Sequence, residues 1–184
     1  SEQKKYAEAL NYYTKSLNLY RKLDNALGEA AALTNLGGFY VDQDDYDKAI
    51  EYYDQSLSIR EALSDNHGLT RTFLNIGNAY NDKGERSAAV DWCSRSLKGA
   101  EEIDGVRERR DACKCLYVAY QSLENFNQAL FYHVQMQAWD DSLQSAKTFK
   151  ILKQMEFRTK QVTDSLFTEE EKLRVRIGHE EEIH

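Results

Sequence analysis

The sequence predicts an all-α fold in which paired helices stack into a superhelix and a long C-terminal helix follows. Three observations predict it. None of the 184 residues is proline, the commonest helix-breaker, and only nine are glycine. Ala9, Ala49, Ala89 and Ala129 recur every 40 residues, as do Leu10, Ile50, Val90 and Leu130, and the aromatics Tyr12, Tyr52, Trp92 and Tyr132. A second set, Leu36, Ile76, Leu116 with Tyr40, Tyr80, Tyr120, keeps the same period, and no insertion disturbs the register from residue 6 to residue 136. Within each unit the apolar spacing is that of two amphipathic helices joined by a polar turn.

The elements follow in order. Residues 5–23 read as the second helix of a unit whose first helix is expected upstream, because a repeat buries its apolar face against a neighbour. Asp24-Asn25-Ala26-Leu27-Gly28 marks a longer connection. The first full unit, about 28–62, places Leu33, Leu36, Gly37 and Tyr40 on one face of its first helix. Asp42-Gln43-Asp44-Asp45 supplies the turn and the N-cap, since short polar side chains accept the free amides of a helix start. Tyr46, Ala49, Ile50, Tyr53 and Leu57 form the inner face of the second helix. Unit 68–102 repeats the scheme after Ser64-Asp65-Asn66-His67-Gly68 and turns at Asn81-Asp82-Lys83-Gly84. The last unit, 107–140, follows Asp104-Gly105 and turns at Ser122-Leu123-Glu124-Asn125, where Asn125 and Gln128 have capping-box spacing. Tyr117 and Met136 replace the glycine and serine of the earlier units and are expected to push this last pair apart.

After Trp139-Asp140-Asp141 the register ends. Residues 141–184 hold no proline and one glycine, Gly178, and read as one long helix. A seven-residue seam runs through Leu152, Met155, Thr159, Val162, Leu166, Glu169, Leu173, Arg176, Glu180 and Ile183, and six of these ten are apolar. Two uses follow from it. Leu152, Met155, Val162, Leu166 and Leu173 can pair two chains as a coiled coil, or Phe149, Leu152, Met155 and Val162 can cap the open end of the array.

Composition and motifs exclude several functions. A net charge of −7 repels phosphate backbones and argues against broad nucleic-acid binding. No apolar run approaches the roughly 20 residues that span a bilayer, and SEQKKYAEAL lacks the apolar stretch of a signal peptide. Cys93, Cys113 and Cys115 are too few for a disulfide framework and read as thiols filling core gaps. His67, His133, His179 and His184 are scattered, so no metal site is expected, and His133 reads as a satisfied core histidine. Gly37-Gly38 lacks the lysine of a phosphate loop. Asp42, Asp44, Asp45 and Asp47 lack the central glycine of a calcium loop and read as caps. Neither a catalytic constellation nor a cofactor is expected.

Leu33, Leu36-Gly37, Tyr40, Ala49, Tyr53 and Ser56 resemble the pattern of the tetratricopeptide repeat (TPR) family. The pattern returns as Phe73, Ile76-Gly77, Tyr80, Ala89, Cys93 and Ser96. A degenerate copy is Cys113, Leu116-Tyr117, Tyr120, Ala129, His133 and Met136. The resemblance spans residues 5–140. The unit is longer than the family's roughly 34 residues and resembles the subgroup of peptide-sensing and motor-cargo adaptors. It implies a right-handed superhelix that binds a peptide or protein in a concave groove lined by the first helix of each unit. The groove positions thereby become Thr34, Asn35, Gly38 and Val41; Arg71, Leu74, Asn75 and Asn78; and Asp111, Lys114, Val118 and Gln121. Of these, Asn35, Arg71, Asn75, Asn78, Lys114 and Gln121 are the candidate binding residues. A row of amides grips an extended backbone, and Arg71 and Lys114 can hold a carboxylate. The alternative is that the asparagines tie neighbouring helices together.

The tail carries its own resemblance. Gln154-Met155-Glu156-Phe157-Arg158-Thr159-Lys160-Gln161, Asp164-Ser165-Leu166, Glu169-Glu170-Glu171-Lys172 and the earlier Asp141-Ser142-Leu143 are similar to a junction in membrane-bound bacterial signalling proteins. There a TPR region leads through a helix into a membrane span and an output domain, a class III adenylate/guanylate cyclase or a histidine kinase. This implies a sensory module, an extracytosolic location, and a homodimer through the C-terminal helix. A free-standing cytoplasmic adaptor is the alternative.

Overall fold

The computed structural model describes the backbone of residues 2–181 and the side chains from Tyr6 to Glu169, apart from Glu156 and residues 166–168. Among the described residues the fold is all helix: α1 Glu2–Lys22, α2 Ala26–Val41, α3 Tyr46–Ala62, α4 Asn66–Lys83, α5 Arg86–Glu102, α6 Val106–Ser122 and α7 Phe126–Glu181. From α2 onward helices start at residues 26, 46, 66, 86, 106 and 126, a spacing of 20 that halves the 40-residue period of the sequence.

One turn geometry produces that spacing. Asp24, Asp44, Ser64, Asp104 and Glu124 all have φ between 50° and 58°, and Gly84 has φ 93°. The next N–H then reaches back five residues: Asn25 to the Tyr20 carbonyl, Asp45 to Tyr40, Asp65 to Arg60, Glu85 to Tyr80, Gly105 to Ala100 and Asn125 to Tyr120, at 2.9–3.0 Å. A left-handed residue followed by such a bond is how a helix disposes of its last carbonyls. The residue after it caps the next helix. Asn25, Asp45, Asp65 and Asn125 accept the backbone N–H of Gly28, Lys48, Gly68 and Gln128 through their side chains.

Two sequence expectations are corrected here. The connections between units, three residues each, are no longer on average than the two to four residues within them, because Ala26, Asn66 and Val106 already open helices. Asn81, Asp82 and Lys83 belong to α4 and not to a turn. The aspartates of the first turn divide their work. Asp45 caps α3, Asp44 accepts the Tyr46 hydroxyl at 2.8 Å, and Asp47 pairs with Lys83 at 2.7 Å.

Packing explains the small residues. A Cβ on Gly37 would collide with the Tyr53 ring, and one on Gly77 would lie 2.6 Å from Cys93 Sγ. Leu17, Leu33 and Leu36 form one buried cluster, Ala49, Tyr53, Ile76 and Ala79 the next, and Cys93, Cys115 and Leu116 the third. In the last pair Tyr117 takes the place of the glycine. Its ring rests on His133 with centroids 5.1 Å apart, while Ala129 stays buried. Expected to be a satisfied core group, His133 instead leaves its Nδ1 without a hydrogen-bond partner. Cys93 and Cys115 are not free thiols: they form a disulfide between α5 and α6 with Cα atoms 5.9 Å apart. Cys113 alone remains a buried thiol, its pKa pushed up to about 11 by burial and then by Glu101.

The chain divides into two compact units, Ser1–Asp140 and Asp141–His184. In the second, described side chains are exposed except Leu143, which is half-buried.

Candidate functional site

The site lies on α2 and α4, the first helices of the two well-formed units. At about 100° per residue, Thr34, Asn35 and Gly38 fall on one face of α2 and their equivalents Leu74, Asn75 and Asn78 on the same face of α4. These helices stack in register because Leu36 and Ile76 fix the opposite face in the core, each no more than 1% exposed. Between them opens a cavity of about 530 Å³. Asn35, Arg71, Asn75 and Asn78 all line it, with Thr34, Gly38 and Val41 beside them. Four of the six candidate binding residues thus converge on one hollow.

Lys114 and Gln121 do not line it. Both are exposed on α6, and the amide row ends before them because the equivalent of Asn35 and Asn75 is Cys115, buried in the disulfide. Asp111 joins Arg71 and Leu74 in a second cavity of about 570 Å³, lined also by Leu27, Arg60, His67, Arg107 and Glu108. Arg71 lines both hollows, so one guanidinium reaches the contents of either.

Residues without any sequence signal for binding complete the first cavity. Tyr13, Phe39, Asp42 and Tyr53 line it. Burial and then the Asp42 charge push the Tyr53 hydroxyl up to about 12, so it stays a neutral donor at physiological pH. In the sequence Tyr53 stands only on the inner face of its helix; its place over Gly37 is a fact of the structure. Thr34 is occupied internally: its hydroxyl bonds the Ala30 carbonyl at 2.9 Å and meets Ser56 Oγ at 2.9 Å. One asparagine outside the candidate set does tie helices together. Asn81 Nδ2 donates to the Cys115 carbonyl at 3.1 Å, joining α4 to α6.

The floor of the second cavity holds a buried cation. Arg60 is 3% exposed, pairs with Asp65, and donates from Nε to Ser56 Oγ at 3.1 Å. Burial raises the Asp65 carboxyl, but the Gly68 N–H and the Arg60 guanidinium outweigh it and hold the pKa below its ordinary value. No group of three or more His, Cys, Asp or Glu side chains that could hold a metal occurs among the described residues.

Comparison with known proteins gives the fold a context. The aspartyl phosphate phosphatase F of Bacillus subtilis superposes with TM-score 0.72 at 18% identity, over 77% of this chain and 37% of that one. Apo RapI gives 0.69 at 21% identity, over 77% and 39%. A kinesin light chain with nearly identical TPR-like repeats from Podosopora anserina gives 0.60 at 17%, over 77% and 70%. The chain therefore spans about two fifths of the first two of these structures. No curated protein matches the sequence. The family described as Tetratricopeptide repeat matches residues 1–62 and 28–102, more than half of the chain. This chain belongs to the tetratricopeptide repeat family, folded as an all-helical superhelical solenoid.

Proposed function

We propose that the solenoid is a non-catalytic peptide- or protein-binding sensory module of a bacterial signal-transduction protein. Its output domain, a class III nucleotide cyclase or a histidine kinase, lies outside this chain. The observation that carries the binding role is the convergence of Asn35, Arg71, Asn75 and Asn78 on one open cavity. Amides there offer paired donors and acceptors to an extended backbone, and Arg71 offers a charge-assisted contact. A Rap protein of the same fold has been crystallised with competence and sporulation factor, at TM-score 0.52 and 18% identity, which supports a solenoid groove as a place for a partner. The Cys93–Cys115 disulfide supports an extracytosolic location, since structural disulfides persist in oxidising compartments.

Peptides selected from a displayed random library against the whole chain provide the probe. Asn75→Ala with Arg71→Ala weakens their binding, each contact contributing about 0.5–1.5 kcal/mol, and leaves helicity and Tm nearly unchanged. If the double variant instead melts the chain or binds as well as wild type, these residues do not form the site.

Relay to the output domain assigns α7 to pairing two chains. Leu152, Met155 and Val162 are each more than half exposed, while Leu166 and Leu173 lie outside the residues whose side chains are described. Thr159 turns its hydroxyl to the Met155 carbonyl at 3.0 Å, which keeps that donor satisfied within the helix. Sedimentation at rising concentration shows a monomer–dimer equilibrium that Leu152→Glu abolishes. A wild-type chain that stays monomeric at every concentration removes pairing from the proposal.

A further inference from the structure

Charge is unevenly spread along this chain. Residues 1–140 carry a net −6, whereas residues 142–163 hold five Lys or Arg against one acid, Glu156, a net of +4. That basic stretch lies entirely in α7, and Lys147, Lys150, Lys153, Arg158 and Lys160 are all exposed. At about 100° per residue the five fall within one half of the helix circumference, centred on Lys150, and Asp164 ends the ribbon on that same half, one turn beyond Lys160. Phe157 sits beside Lys150 in that half and is 62% exposed, and Phe149, 68% exposed, lies at its edge. Leu152, Met155 and Thr159 occupy the opposite half. The result is a basic ribbon roughly 20 Å long with aromatic rings standing in it.

Solvation alone does not call for this arrangement. A helix face that needs only to be wet mixes both signs, whereas Lys147, Lys150 and Lys153 follow one another at the three-residue spacing where like charges repel. A cost of that kind is offset when an anionic surface lies against the ribbon.

We propose that this ribbon docks α7 on an anionic bilayer surface. Clusters of four to eight basic side chains on an amphipathic helix collect acidic headgroups electrostatically. Phe149 and Phe157 favour a surface with an apolar layer beneath its charges, because their rings then leave water while the lysines keep their headgroup contacts. A nucleic acid provides the charge without that layer. The docking face is also opposite the Leu152–Met155 seam, so pairing of chains and docking use different halves of the helix, and either can fail without the other.

Cosedimentation of the whole chain with vesicles tests the proposal. Vesicles of phosphatidylcholine with added phosphatidylglycerol retain the protein at low salt, pure phosphatidylcholine does not, and high salt releases it. Lys147→Glu/Lys150→Glu/Lys153→Glu lowers binding by about tenfold or more, and Phe157→Ser lowers it by a few-fold. Leu152→Ser, which acts on the seam without adding charge, leaves it in place. Should the triple reversal lose helicity, Lys150→Gln/Lys153→Gln/Lys160→Gln removes charge without adding repulsion and gives the same reduction. Equal binding to both kinds of vesicle, no binding to either, or full binding by the charge variants overturns the proposal. So does duplex DNA that displaces the chain from anionic vesicles, which makes the ribbon a nucleic-acid surface.

Discussion

Asp65 shows how much one residue carries in a repeat. Its carboxylate accepts the Gly68 N–H at 3.0 Å to cap α4 and also neutralises Arg60, a guanidinium only 3% exposed. Gly68 leaves room for them, because a Cβ there would displace the ends of both side chains. A depressed carboxyl pKa fixes the sign of the pH dependence. The stability that Asp65 contributes is complete above its unfolded pKa of about 3.9 and disappears as pH falls through the lower folded value. Asp65→Asn keeps the cap but strands the cation, so it costs about 1–3 kcal/mol at neutral pH. It also flattens the acid limb of the stability curve. Urea unfolding of both proteins between neutral and acid pH measures the two effects together. A variant with the wild-type acid slope would mean that this pair does not set it.

At the scale of the element, the turns are one device used six times with unequal chemistry. The left-handed position is Asp, Asp, Ser, Gly, Asp and Glu in chain order. Glycine has no Cβ to crowd the following carbonyl, aspartate tolerates the region, and glutamate has no short side-chain bond to compensate. Glu124→Gly therefore raises stability by about 0.5–1 kcal/mol, and Gly84→Ala lowers it by about 1 kcal/mol. Thermal unfolding of the two single variants decides this, and shifts of the same sign would refute the turn argument. The sequence showed the caps at Asp45 and Asn125 through residue type, whereas Asn25 and Asp65 stood there only as connection residues. It concealed the 20-residue spacing, because the αL residues share a conformation and not an identity.

For the whole molecule, the disulfide joins the second unit to the third where the repeat pattern is weakest. Cys93 and Cys115 are 22 residues apart and both at most 2% exposed. Cys113 is buried with its thiol pKa pushed up to about 11, so little reactive thiolate forms at neutral pH. Native protein accordingly resists alkylation. Unfolded without reductant, it takes up a single alkyl group at Cys113, and after reduction all three cysteines react. Mass spectrometry of the three samples reads this directly, and three alkylated cysteines before reduction would remove the bond and its bearing on cellular compartment.

The sequence by itself determined the helices, the pairing of helices into units and the fold family. Each rests on a period, and a period survives without any knowledge of contacts. The family resemblance put Asn35, Arg71, Asn75 and Asn78 among the groove positions, and the 40-residue period made Asn35 and Asn75 equivalent. Only the tertiary structure decided that Lys114 and Gln121 stand apart from that cavity and that Tyr53 belongs to it. Cys115 occupies the position of Asn35 and Asn75, and nothing local reveals that its partner is Cys93 on the neighbouring helix. Asn81 is likewise polar and inside a helix, and its bond to the Cys115 carbonyl exists only once α4 and α6 are brought together. Periodicity fixes which face a side chain occupies; what lies opposite that face depends on the neighbouring unit, and there the repeat is imperfect.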